Sequence, residues 1–242
     1  TFGATVISVQ GSYEETFELS KQAIDRWGWY NRNAAINPYL SEGKKTVSLE
    51  IMEQLGWQVP DYIAISVGDG CTIAGLWKGL KDLYAIGFID RLPRLVSAQA
   101  AGCCPLNRAI ETGEDWHPME ENTLADSIAV GVPRNADKAL MAIRESQGLV
   151  VNVSDEEIMA QRLLGRTCGV FGEPAGVTGT AGVKKLCEAG VIGKNDTVVG
   201  VVTGNGLKDV ANAIKFCGEP ISIPSDMDRL LSAFAERRIA LD

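Results

Sequence analysis

The sequence predicts an α/β fold, with an open and mostly parallel sheet that carries helices on both faces. Continuous apolar runs, such as 62–67 and 197–203, are typical of strands buried on both sides. Segments with helical spacing of apolar residues separate these runs. Gly-rich turns follow both runs, at 68–70 and 204–206. Together these observations favour a three-layer arrangement over an all-helical or all-strand fold.

The N-terminal part predicts one strand, two helices and a loop. The β-rich run at 4–9, which lies between two glycines, is predicted to be a strand. A capping-box pattern at Ser12 predicts a helix that runs to about Trp27. A loop rich in Asn and Pro is predicted at 31–43, followed by a helix at 45–55.

From residue 62 onwards, predicted strands and helices alternate. The strands are 62–67, 95–99, 149–153 and 197–203. The helices are 72–84, one from Pro105, 134–146, 155–164, 174–189 and 206–216. A last amphipathic helix is predicted within 221–242, after a capping-box pattern that begins at Ser225.

Composition narrows the class of protein. Of the 242 residues 45% are hydrophobic and 22% are charged, which excludes a disordered chain. A net charge of −8 argues against a nucleic-acid-binding surface. No apolar run approaches the roughly 18 residues that a membrane span requires. The six cysteines form no CxxC pair, so we expect reduced thiols in the cytoplasm, and the single histidine, His117, excludes a His-rich metal site.

The Gly-rich turn after the strand at 62–67 is the most informative segment. Gly68, Asp69 and Gly70 precede a predicted helix, so backbone N–H groups at the helix start are able to bind a phosphate. An ordinary strand-to-helix turn explains the same residues. Cys71, at that helix start, is either a reactive thiol or a buried inert one. Thr203 ends another strand, where it either faces the same crevice or caps the next helix.

Five segments, taken in order, resemble the threonine synthase family of fold-type II pyridoxal-phosphate (PLP) enzymes, which share the tryptophan synthase β-like fold. The segments are Asn37-Pro38 with the Glu-Gly-Lys-Lys-Thr run at 42–46, the turn at 68–75, Leu-Ala-Asp-Ser-Ile-Ala-Val at 124–130, Gly-Glu-Pro-Ala-Gly at 172–176 and Thr-Gly-Asn-Gly-Leu-Lys-Asp at 203–209. The resemblance covers nearly the whole chain, to about Asp209.

The resemblance implies PLP as cofactor and a role for each matching residue. The backbone that would hold the cofactor phosphate is that of Gly68, Asp69, Gly70, Cys71 and Thr72. Thr203 would hydrogen-bond to the pyridine nitrogen. Asn37 would lie on the substrate side, and Ala125 and Asp126 along the cofactor face. The implied division is a remnant of a smaller domain at 1–36, a large phosphate-binding domain at 37–216 and a helical tail at 217–242.

Several family features are absent or changed. No Ser-Phe-Lys-Asp-type motif with the Schiff-base lysine occurs, which indicates an N-terminally incomplete enzyme that is inactive alone. Lys45, Lys78 and Lys208 occupy positions where the family uses lysine for other purposes. The changed positions are Ala34, Ala35 and Leu40, where the family commonly has Asn-Ser and an arginine that bind the substrate phosphate. Asp69 replaces a frequent asparagine.

Three hypotheses follow. The first is a threonine synthase that converts O-phosphohomoserine and water to threonine and phosphate. The second is a PLP-dependent serine/threonine dehydratase or a β-replacing synthase of the same fold, which the three changed positions favour. The third is a non-catalytic module that binds a phosphate ligand. The expected partners are a small amino acid and the N-terminal remainder of the enzyme, with neither nucleic acid nor membrane; a homodimer is the usual assembly of the family.

Overall fold

The computed structural model describes residues 2–34, 36–161, 163–217 and 220–237. The strands are β1 Tyr62–Ser66, β2 Arg94–Ala100, β3 Leu149–Val153 and β4 Val198–Gly200. The helices up to β2 are α1 Tyr13–Trp27, α2 Pro38–Lys44, α3 Thr46–Gln54 and α4 Cys71–Ala85. Those that follow are α5 Pro105–Thr112, α6 Ala136–Glu145, α7 Asp155–Ala160, α8 Leu163–Cys168, α9 Pro174–Glu188, α10 Val210–Cys217 and α11 Met227–Arg237.

The strands form one parallel sheet in the order β3-β2-β1-β4. Successive residues of a strand face opposite sides, so the apolar runs supply two cores. On one side Ile63 and Ile65 pack with Leu76 and Leu80 of α4. On the other, Ala64 of β1 and strand residues of β2 and β3 pack against α7 and α9. The predicted three-layer α/β fold is therefore confirmed.

Helix α9 lies very close to the sheet. A Cβ at Gly179 would be 3.2 Å from the backbone of Ile65, so a larger side chain would separate the two layers. The hydroxyl of Ser66, at the end of β1, accepts a hydrogen bond from the Gly179 N–H at 3.0 Å. This close packing fixes the start of α9 beside the end of β1.

Two N-terminal predictions are wrong. Residues 2–11 form no strand and are nearly all exposed; Val6 and Ile7 keep 85% and 77% of their surface accessible. A strand needs a partner for its backbone groups, and 4–9 pairs with none of the described strands. The predicted loop at 31–43 contains the start of α2, because Asn37 caps that helix and Pro38 is its first residue.

Other boundaries differ by a few residues. The strand predicted at 197–203 is only Val198–Gly200, so Thr203 lies beyond it. The helix predicted to end near 164 ends at Ala160. The helix predicted at 206–216 begins as a 3₁₀ turn, Gly206–Asp209. In the tail, the Asp226 carboxylate rather than Ser225 caps α11, by accepting a hydrogen bond from the Arg229 N–H. None of the described helices is both long and apolar enough to cross a bilayer.

Candidate functional site

The Gly-rich turn and Thr203 meet at one edge of the sheet. The chain leaves β1 towards β2, whereas β4 lies on the other side of β1. This reversal of direction opens a crevice beyond the carboxyl ends of β1 and β4, where open α/β sheets bind ligands. A cavity of about 270 Å³ occupies that position. All six residues predicted to bind the cofactor line it: Gly68, Asp69, Gly70, Cys71, Thr72 and Thr203.

Gly70 makes the tight turn into α4. Its φ of +84° lies in the left-handed region, which a residue with a side chain adopts at a cost. A Cβ there would lie 2.6 Å from the Ala139 Cβ and 3.2 Å from the Asn135 carbonyl oxygen. Among the described residues no side chain caps α4, in contrast to α1 and α7, which Ser12 and Ser154 cap. The first turn of α4 therefore presents its positive end to the cavity.

A buried carboxylate forms a second part of the cavity. Glu173 is the N-cap residue of α9, and only 4% of its surface is accessible. The Lys208 ammonium group lies 3.1 Å from Glu173 Oε1 and donates a second hydrogen bond to Ser127 Oγ at 3.0 Å. Since Lys208 itself is mostly exposed, the pair neutralises a buried charge at the mouth of the cavity.

Asp69 is bound by Tyr13 and Arg134, two residues that do not line the cavity. The Arg134 N–H donates to its Oδ1 at 3.1 Å, and the Tyr13 hydroxyl donates to its Oδ2 at 3.2 Å. The Arg134 guanidinium lies 3.5 Å from Oδ1. Burial, followed by the charge of Asp69, raises the pKa of the Tyr13 hydroxyl, so this hydroxyl remains a donor.

Three predicted residues do not line this cavity. Asn37 is buried and used structurally: its Oδ1 accepts from the Tyr39 N–H, and its Nδ2 donates to the Tyr30 hydroxyl. Ala125 is fully buried, whereas Asp126 is exposed and binds the N–H of its neighbour, Ser127.

The described positions that depart from the family pattern lie in different places relative to the cavity. Ala34 lines the cavity, Leu40 is half-buried and absent from its lining, and Ala35 lies outside the described residues. Lys45 and Lys78 bind Glu42 and Asp82, in an ion-pair cluster away from the cavity. Hydrogen bonds to Glu42 and Asp82 raise the pKa of Lys45, which keeps it charged.

Sequence reasoning did not assign five polar residues that line the cavity to the site: Lys44, Ser66, Ser127, Glu173 and Lys208. Glu173 precedes a proline at the first helical position, a pattern that also marks an ordinary helix start. The available signal was that both residues lie in Gly-containing segments, Glu173 in the segment 172–176 and Lys208 in the segment that follows the predicted strand at 197–203. Their pairing depends on tertiary structure, because 35 residues separate them.

Comparisons with known proteins agree with this geometry. The family model described as pyridoxal-phosphate dependent enzyme matches residues 1–204. The chain is similar to the threonine synthase of Methanocaldococcus jannaschii, with 42% identity over 232 residues; the match covers 95% of this chain and 57% of the relative. The chain thus spans less than two thirds of the length of this curated relative.

Solved structures show the same fold. The processed form of threonine deaminase isoform 2 from Solanum lycopersicum superimposes with a TM-score of 0.70 at 20% identity, over 88% of this chain and 59% of that one. The serine racemase of Dictyostelium discoideum gives a TM-score of 0.63 at 25% identity, over 84% of this chain and 62% of that one.

Proposed function

This chain belongs to the family of pyridoxal-phosphate dependent enzymes, and within it we propose that the chain is the cofactor-phosphate-binding part of a threonine synthase. The observation that carries the proposal is the cavity in which the Gly68–Gly70 turn, the uncapped start of α4 and Thr203 come together. The similarity to threonine synthases over 95% of the chain supports the substrate class, O-phosphohomoserine.

The residues of the turn fit the phosphate of this cofactor. Gly70 allows the tight turn that brings the uncapped start of α4 to the cavity, and a dianion is favoured at a helix N-terminus. Thr72, in the first turn of α4, offers a hydroxyl at the same edge of the cavity. When it is bound, the cofactor supplies an electron-withdrawing ring that stabilises negative charge at the α-carbon of the substrate.

Thr203 is proposed to orient the ring. It lines the cavity on the β4 side, opposite the turn after β1. A hydroxyl that donates to the pyridine nitrogen leaves that nitrogen largely unprotonated, which moderates the electron-withdrawing power of the ring. The Glu173–Lys208 ion pair also lines the cavity, and Lys208 neutralises the buried Glu173 carboxylate.

The lysine that attaches the cofactor in the resembling enzymes is not supplied by a matching motif in these 242 residues. We therefore propose that these residues alone bind the cofactor without catalysing the reaction.

The proposed division assigns 1–36 to a smaller domain, 37–216 to the phosphate-binding domain and 217–242 to the tail. The contact of α1 with Asp69 through Tyr13 is then a contact between the two domains.

Cofactor binding is tested directly on the chain. We expect equilibrium dialysis with PLP to give one site per chain, and inorganic phosphate to compete for it. Thr203→Val removes the hydroxyl at nearly constant volume, and should weaken PLP binding without changing the affinity for phosphate. Equal affinity of both proteins for PLP would refute the role of Thr203.

Borohydride reduction tests the missing lysine. Treatment of the PLP complex with borohydride, followed by peptide mapping, should give no stoichiometric label. Lys44 and Lys208 line the cavity, so each is within reach of the bound cofactor. A full label on either lysine would overturn the proposal that the chain lacks its covalent attachment site.

Product analysis separates the candidate reactions. The full-length protein in which these residues occur should form threonine and phosphate from O-phosphohomoserine. Deamination of serine or threonine to a 2-oxo acid, without reaction of O-phosphohomoserine, would instead support a dehydratase. The alanine at position 34, which lines the cavity, is the observation that favours this alternative. PLP binding without either reaction would support a non-catalytic module.

A further inference from the structure

Arg134 connects helix α1 to the Gly-rich turn. It precedes α6, and its side chain is 9% exposed. The guanidinium group lies between two carboxylates, Glu14 and Asp69, and makes ion pairs with both. It also lies over the rings of Phe17 and Tyr13, at 3.8 Å and 4.8 Å from their centres. A cation held by two rings and two carboxylates has little freedom to move.

The same segment fixes the backbone of the turn. The Arg134 N–H donates to Asp69 Oδ1, and the Asn135 N–H donates to the Asp69 carbonyl oxygen, each at 3.1 Å. The Asn135 side chain donates to the Gly70 carbonyl oxygen at 3.4 Å. All three bonds come from residues that do not line the cavity, so they fix the turn without occupying the cavity.

Asp69 presents an electrostatic problem for a phosphate site. Its carboxylate is 14% exposed and belongs to a residue that lines the cavity. Without a counter-charge, it would repel a bound dianion. Both of its oxygens accept hydrogen bonds from donors outside the cavity, Arg134 and Tyr13. Arg134 itself does not line the cavity.

From these contacts we infer that Arg134 is a positioning residue for the cofactor phosphate. It holds the Asp69 carboxylate away from the helix start and offsets its charge, so that the turn binds a dianion although it contains an acidic side chain. Arg134 acts on the phosphate only through Asp69. The inference rests on the proposed phosphate site, and it makes α1 part of the support of that site.

The test compares PLP affinities by equilibrium dialysis. Arg134→Met keeps much of the apolar stem and removes the charge, and it should weaken PLP binding about tenfold or more. Arg144→Met, an exposed arginine on α6, is the matched control and should bind PLP as the unmodified chain does. The double variant Arg134→Met/Asp69→Asn also removes the Asp69 carboxylate, which is the one that lines the cavity, and leaves only the partly exposed Glu14 without its partner. It should recover affinity to within about threefold of the unmodified chain.

The rescue distinguishes positioning from direct contact. If Arg134 bound the phosphate itself, Asp69→Asn would not restore affinity in the Arg134→Met background. Tyr13→Phe provides a second variant with little change in packing; the loss of one hydrogen bond to Asp69 should weaken PLP binding about fivefold. If Arg134→Met does not fold, as judged by circular dichroism, the Tyr13→Phe result decides.

The outcomes separate this inference from the proposed function. Failure of the unmodified chain to bind either PLP or inorganic phosphate would refute the phosphate site itself. Normal binding by the unmodified chain together with unchanged binding by Arg134→Met would refute only the role of Arg134. Where that variant does not fold, unchanged binding by Tyr13→Phe would refute the requirement that Asp69 be held from outside the cavity, on which the role of Arg134 depends. Failure of the double variant to recover affinity would refute the action through Asp69.

Discussion

Replacing Gly70 by alanine tests the construction of the phosphate-binding turn. The new methyl group would have to adopt a φ of +84° and would lie 2.6 Å from the Ala139 Cβ. The left-handed conformation costs about 1–2 kcal/mol, and forcing an extra methyl group into a packed site adds about 1–3 kcal/mol. We therefore expect Gly70→Ala to lower the free energy of unfolding by about 2–5 kcal/mol.

The assay is urea unfolding followed by far-ultraviolet circular dichroism, with Gly113→Ala as the matched control. Gly113 has a similar φ of +75°, but nothing lies within 4 Å of an added Cβ. In the control, only the left-handed conformation should lower the free energy of unfolding, by about 1–2 kcal/mol. Ala139→Gly, combined with Gly70→Ala, should recover part of the packing loss. Equal losses in Gly70→Ala and Gly113→Ala would refute the steric argument.

Three further predictions concern other parts of the chain. Burial raises the pKa of the Cys103 thiol to about 11, so alkylation at pH 8, mapped by mass spectrometry, should spare it and label the exposed Cys187. Burial acts to raise the pKa of Glu157, but hydrogen bonds from the Ser154 N–H and Lys185 outweigh burial and hold this pKa below its usual value. The ionised Glu157 side chain therefore contributes to the free energy of unfolding above about pH 4.3, and this contribution is lost on acidification. In urea titrations, Glu157→Gln should lower the free energy of unfolding at pH 7 but not at pH 2.5. Asn107→Leu removes a buried amide and leaves its partners without a hydrogen bond, so it should lower the free energy of unfolding by about 2–5 kcal/mol in urea titrations. A decrease of less than about 1 kcal/mol would contradict this prediction.

Local signals in the sequence predicted the central α/β elements well. β1, β2 and β3 lie within a residue or two of the predicted runs, because continuous apolar residues are needed where helices cover both faces. The capping boxes at Ser12 and Ser154 are present in the structure. These features depend on neighbours within a few residues, so they can be recognised without knowledge of the fold.

Failures of prediction occurred where distant partners decide the local structure. The run at 4–9 has strand composition, but no described strand lies beside it to accept its hydrogen bonds. The loop predicted at 31–43 contains the start of helix α2, which the Asn37 side chain caps, whereas the substrate-side role of Asn37 stays a prediction. The Asn-Pro pair is a helix-start signal that was overlooked in a loop-like composition.

By itself, the sequence determined the fold class and the Gly-rich turn after β1, because hydrophobic periodicity and glycine positions depend on near neighbours in the chain. It also determined the resemblance to a cofactor-binding family, because the order of the motifs along the chain can be compared without a structure. Only the tertiary structure decided which charged groups meet at the cavity. Glu173 and Lys208 are 35 residues apart, and Arg134 and Asp69 are 65 apart. The first pair depends on the strand order, which brings the carboxyl ends of β1 and β4 together. The second depends on the packing of α6 against α4.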